Sequence, residues 1–200
     1  TTIVVPFVGH GSIKDAIEAL GVPHPEVAHI LVNGTPVDFG YLVQPGDDVV
    51  VYPLSMAGAA PLALRPRPTP RFILDVHLGR LAEYLRLLGF DTLYRNDYDD
   101  PTLATISAQD DRVLLTRDIG LLKRGIVIHG LYVRATDPPK QVLEILSRFD
   151  LFDAITPFQR CVRCNGLLQS VPKAAIADQL PPVTRDLHET FRQCQQCGQI

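Results

Sequence analysis

With 200 residues and 46% hydrophobic content, the chain can build one large domain or two to three small ones around a real core, which excludes a disordered protein. Its formal net charge of −3 excludes a uniformly basic coat for nucleic acid, while a local basic face stays open. No apolar run approaches the ~20 residues of a membrane span and the start lacks a charged, cleavable leader, so a cytoplasmic location is expected and membrane partners are not.

Residues 1–53 read as a small unit of their own. Ile3-Val4-Val5 predicts a strand, and Ser12 opens a helix over residues 14–20 that Gly21 closes. His29-Ile30-Leu31-Val32, the turn pair Asn33-Gly34 and Pro36-Val37 predict a hairpin, and Pro45-Gly46-Asp47-Asp48 turns the chain into a last strand, Val49-Val50-Val51-Tyr52. The order is ββαββ-like. Through "LVNGTPVDFG" and "VQPGDDVVVYP" this stretch resembles the ubiquitin-like β-grasp domains of the molybdopterin-synthase small subunit and the thiamine-pathway sulfur carrier. Those carriers end in a free Gly-Gly, whereas here the strand runs into Pro53, so sulfur transfer is not expected; a protein partner for the β-grasp domain is.

Residues 54–70 interleave Pro61, Pro66, Pro68 and Pro70 with Arg65 and Arg67, followed by Arg71, which predicts an extended linker or a basic strap along a phosphate backbone. From 71 to 156 strand and helix patterns alternate. Phe72-Ile73-Leu74, Thr92-Leu93-Tyr94, Val113-Leu114-Leu115 and Leu131-Tyr132-Val133 read as strands. Leu78, Leu81, Leu85 and Leu88 recur at helical spacing up to Gly89; further helices run through Leu103 and Ile106, near Leu121-Leu122, and through Val142 to Phe149. Such alternation predicts a parallel sheet with helices on both faces.

Cys161-x-x-Cys164, answered after 29 residues by Cys194-x-x-Cys197, predicts a zinc ribbon over 157–200. Two residues between cysteines let both thiolates reach one Zn²⁺, and four thiolates leave no open position, so the zinc is structural. Its binding would supply folding free energy on the order of 10 kcal/mol to this tail.

The acids carry the chemistry. Of 22 acidic residues 17 are Asp and five are Glu, and eight of the Asp fall between Asp75 and Asp118. Helix surfaces favour Glu, so the bias points to caps, turns or ligands. Asp75 and Asp118 each follow an apolar strand, where parallel sheets bind ligands, and Asp99 and Asp100 precede the helix opened by Pro101. Three carboxylates at one mouth suit Mg²⁺ or Mn²⁺, which favour oxygen ligands. The alternative for Asp100, Asp118 and Asp137 is helix capping. Arg80, Arg86 and Arg117 are candidates to bind substrate phosphate, and His77 to assist proton transfer.

"FILDVHLGRLAEYLRLLGFDTLYRNDYDD", "VLLTRD" and "RCVRCNG" together resemble the Mut-seven C-terminal RNase domain, a PIN-like α/β fold with an appended zinc ribbon, over residues 71–200. The resemblance implies a metal-dependent ribonuclease with acids at Asp75, Asp100 and Asp118, Asp99 being the neighbouring contender and Asp137 a further match. RNA is the implied substrate, with structured RNA such as tRNA as its expected form. A shortened C-terminus is also expected, because members of the family continue past the last Cys-x-x-Cys-Gly into an aromatic tail. The alternative function is non-catalytic RNA binding or regulation. A phosphoacceptor role ranks below both, since Lys123 and Lys140 do not lie at strand ends.

Overall fold

Three sheets organise the described residues, which in this computed structural model are 3–6, 11–54 and 70–200. The first is antiparallel, with β1 (Val27–Val32) between β2 (Thr35–Pro36) and β3 (Val49–Pro53). The β1–β2 hairpin turns on Asn33 and Gly34, whose φ values of 53° and 79° are the left-handed pair that a tight hairpin requires. Helix α1 (Ile13–Ala19) starts where the Ser12 hydroxyl accepts the Asp15 amide at 3.2 Å, and it buries Ile13 and Ile17 against Ile30 and Val32.

Ile3-Val4-Val5 is not a strand. Val4 is 97% exposed, and β propensity takes effect only through cross-strand and same-face packing, which a side chain this exposed does not have. The described order is therefore helix then three strands, in place of ββαββ. The proline-rich stretch with Arg65 and Arg67 lies outside the described residues, and Arg71 belongs to the next strand.

The second sheet is parallel, ordered β5-β4-β6-β7, from β4 (Arg71–Leu74), β5 (Asp91–Leu93), β6 (Val113–Thr116) and β7 (Gly130–Tyr132). Its central strands are apolar at successive positions because both faces are covered. Phe72 and Leu74 of β4, with Val113 and Leu115 of β6, pack under α2 (Gly79–Leu87) and α5 (Pro138–Phe149). Ile73 and Leu114 face the opposite way, toward α3 (Asp100–Gln109) and α4 (Ile119–Leu122). Each fully buried Leu or Phe contributes about 1.5–3 kcal/mol. Helix α2 ends before Gly89, at φ 97°, where a Cβ would collide with the carbonyl of Thr156. Helix α5 opens on Asp137, whose carboxylate accepts the Lys140 amide at 3.3 Å, so Asp137 is a cap.

The N-terminal unit is fastened to the edge strand β7. Glu26, only 3% exposed, accepts the Tyr132 amide at 2.7 Å and pairs with Arg134 at 3.0 Å and Arg148 at 3.4 Å. His24 Nε2 lies 2.9 Å from the Val127 carbonyl, and Lys123 Nζ donates to the Glu18 carbonyl at 2.8 Å. An edge covered in this way cannot template another chain.

The third sheet is the hairpin β8 (Leu168–Val171) and β9 (Phe191–Cys194), with α6 (Lys173–Ile176) and α7 (Pro182–Leu187) between its strands. The α/β unit with an N-terminal strand-rich part and a cysteine-clasped tail is the architecture expected from the sequence. Among the described residues no helix is long and apolar enough to cross a membrane.

Candidate active site and metal centre

The chain passes from β4 through α2 to β5 on one side, then returns through α3 to β6 on the other. The sheet order therefore reverses between β4 and β6, and the crevice beyond their carboxyl ends is the expected ligand site. Asp75 stands there directly after β4, 6% exposed, at the entry to a 3-10 turn (Val76–Leu78) for which it makes no side-chain cap. Instead its Oδ2 accepts the Thr116 hydroxyl at 2.8 Å. The same Thr116 oxygen accepts the Asp118 amide at 2.9 Å, so one fully buried hydroxyl ties the two acidic positions together across the crevice.

Thr116 is the site residue that sequence reasoning passed over. A hydroxyl ending the apolar run Val113-Leu114-Leu115, two positions before an acid, was the available signal, because a buried polar group needs a partner.

Asp118 also caps α4. Its Oδ1 accepts the amides of Gly120 at 2.6 Å and Leu121 at 3.3 Å, both on one oxygen. Of the two neighbouring contenders, Asp99 is the cap of α3, accepting the Thr102 amide at 2.9 Å, and this bond holds its pKa below the usual carboxylate range. Asp100 is released from capping and faces Arg124 at 3.8 Å. Asp75, Asp100 and Asp118 thus belong to the same end of the sheet. Yet among the described residues the cysteines are the one group of three or more metal-ligating side chains whose donor atoms converge.

The three arginines separate. Arg80 is exposed on α2 and pairs with Glu83 at 2.9 Å. Arg117 is half-buried and donates to the Ala135 carbonyl at 2.7 Å, joining the turn after β6 to the loop after β7. Arg86, expected to face phosphate, is instead turned inward and engaged by backbone. It is 4% exposed, and its guanidinium donates to the carbonyls of Thr92 at 2.9 Å, Val162 at 3.0 Å and Arg163 at 3.2 Å. Helical periodicity put Arg86 on the polar side of α2, but the ribbon packs on that side and supplies carbonyls in place of solvent. His77 is exposed in the 3-10 turn.

The four cysteine sulfurs all lie within 4.8 Å of one another, with Cys161 to Cys197 at 3.7 Å and Cys164 to Cys194 at 3.4 Å. Bonds of about 2.3 Å in a tetrahedron around Zn²⁺ set sulfurs about 3.8 Å apart, and a disulfide needs about 2.05 Å, so the set fits a metal and not two bridges. Burial works against the Cys194 thiolate, but the amides of Cys197 and Gln196 outweigh it and bring the pKa down to about 7. Desolvation and the neighbouring sulfurs push Cys164 up to about 12.

Asn165, at φ 68° in the first knuckle, welds this centre to the sheet. It accepts the Thr92 amide at 2.9 Å and donates to Asp91 at 2.8 Å. Burial opposes charge on Asp91, but bonds from Arg112 and Asn165 prevail and hold its pKa below the usual range.

A family model described as the Mut7-C RNAse domain matches residues 70–200, and one described as Mut7-C ubiquitin matches residues 1–58. No curated protein and no solved structure matches the chain.

Proposed function

We propose that this chain, which belongs to the Mut7-C RNAse domain family, hydrolyses phosphodiester bonds of RNA at the crevice between β4 and β6, with Asp75, Asp100 and Asp118 as its catalytic acids. The observation that carries the reading is Asp75. A carboxyl group 6% exposed among apolar strands, bonded by one hydroxyl and free of any capping duty, is costly to keep unless it has a ligand.

The cofactor in this reading is Mg²⁺ or Mn²⁺, which when bound activates water and stabilises charge on a phosphoryl group. Toward it the chain offers Asp75, whose Thr116 bond holds one orientation, Asp118, whose capping bonds occupy Oδ1, and Asp100, which is free of the cap that Asp99 makes. Arg117 at the crevice and Arg80 at the start of α2 are the candidates for phosphate, since guanidinium N–H groups match phosphate oxygens. Zn²⁺ in the four-cysteine centre is structural. Structured RNA such as tRNA is the proposed substrate class.

The test is cleavage of a mixed RNA pool that includes tRNA by the full chain with Mg²⁺ or Mn²⁺, against Asp75→Asn. Metal-dependent cleavage that falls by at least about 100-fold in the variant is expected. RNA binding without cleavage in any metal would refute the catalytic reading and favour an RNA-binding protein.

A further inference from the structure

Phe158 combines two features that rarely coincide. Its φ of 61° is left-handed, a costly conformation for a bulky side chain, and its ring is 59% exposed. The backbone accounts for the conformation: the Phe158 amide donates to the Leu87 carbonyl at 3.1 Å, the Thr156 amide donates to Leu88 at 3.0 Å, and Arg192 donates to the Phe158 carbonyl at 2.7 Å. The segment thereby caps the end of α2, a task for which Asn or Gly would serve with less strain. Nothing in that task uses the ring.

Through that bond to Leu87, Phe158 also joins the end of an exposed stripe. Arg80, Tyr84 and Leu87 stand at i, i+4 and i+7 on α2, one face of the helix, and Tyr84 and Leu87 are 41% and 37% exposed. Helix α2 opens four residues after Asp75 and its nine residues run about 13 Å. The stripe therefore leads from the crevice to Phe158 in the order Arg80, Tyr84, Leu87, Phe158, with Arg192 beyond.

We propose that this stripe is a track for single-stranded RNA, with Tyr84 and Phe158 as base-stacking platforms and Arg80 and Arg192 as phosphate contacts. Exposed rings flanked by arginines suit unpaired bases, because every base has a face to stack, whereas a duplex hides its bases from such rings. The track rests on RNA being the substrate and extends that reading from the crevice to the ribbon: of a structured RNA it takes an unpaired loop or end.

The experiment measures binding of a fluorescent 15-nucleotide oligouridylate by anisotropy. It uses the full chain carrying Asp75→Asn to prevent turnover and omits chelator so that the cysteine centre keeps its metal. Phe158→Asn removes the ring while suiting the left-handed backbone. It is expected to weaken binding about 10-fold without lowering the melting temperature, and Phe158→Trp to retain affinity. Tyr84→Ala is expected to act likewise, and Arg80→Gln to reduce the salt slope by about 0.7. Blunt duplex RNA should not distinguish Phe158→Asn from its parent.

Single-strand affinity within two-fold of the parent in both ring variants overturns the track, as does a melting temperature that falls along with affinity. The nuclease reading fails separately: wild-type protein that never cleaves, yet binds RNA through Phe158, would sink that reading and leave the track standing.

Discussion

Arg86→Met tests whether Arg86 serves the fold or the substrate. Methionine keeps most of the aliphatic stem and removes the guanidinium, so little cavity is created. Lost with it are bonds of 2.9, 3.0 and 3.2 Å to Thr92, Val162 and Arg163; the fourth, to Tyr94 at 3.5 Å, is too long to count for much. Bonds to a charged donor are worth about 1.5–3 kcal/mol each, which would suggest about 4–9 kcal/mol. Removing Arg86 also removes the cost of burying its charge, so a net loss of about 3–5 kcal/mol is the better figure. Urea unfolding at constant zinc should show the unfolding free energy falling by that amount, with amides around Val162 and Arg163 losing hydrogen-exchange protection before those of β4. A stability change below about 1 kcal/mol together with weakened RNA binding would refute this reasoning and restore Arg86 as a phosphate ligand.

Three other outcomes are expected. Thr116→Val, nearly isosteric, frees Asp75 to rotate and releases the Asp118 amide; turnover should fall about 10- to 100-fold at unchanged RNA affinity, and Thr116→Ser should recover most of it. Zinc removal by a chelator, or Cys194→Ser, should leave β8 and β9 unprotected in hydrogen exchange while β4 and β6 stay protected, because the clasp holds the hairpin and the sheet has its own core. Burial lowers the pKa of His24 from its ordinary 6.5, against the raising effect of Glu18, so below pH 6.5 the unfolded chain takes up the proton first. Stability should therefore fall as pH drops from 6.5 toward the lowered value, and a melting series in which His24→Gln keeps the wild-type slope across that window would contradict the assignment.

Periodicity and punctuation made most elements legible in the chain. Leu78, Leu81, Leu85 and Leu88 mark a helix because a 3.6-residue repeat can bury one face only as a helix, and Gly89 marks its end because only glycine takes φ 97° against the Thr156 carbonyl without penalty. The paired Cys-x-x-Cys motifs announced a cluster of four cysteines able to hold a metal, because ligand spacing is local geometry. Asp75 stood out because an acid after three buried apolar residues has no local use.

Only the tertiary structure could decide matters that depend on residues distant in the chain. Arg86 reads as a surface charge until the knuckle, 76 residues away, closes over it. Thr116 acquires its role only when β6 pairs with β4 and brings Asp75 within 2.8 Å of its hydroxyl. Ile3-Val4-Val5 has the composition of a strand, yet it forms none and leaves Val4 97% exposed. Local sequence sets what a residue is able to do through its backbone preference and polarity; the partners that assemble around it, at long sequence separation, determine which of those abilities is used.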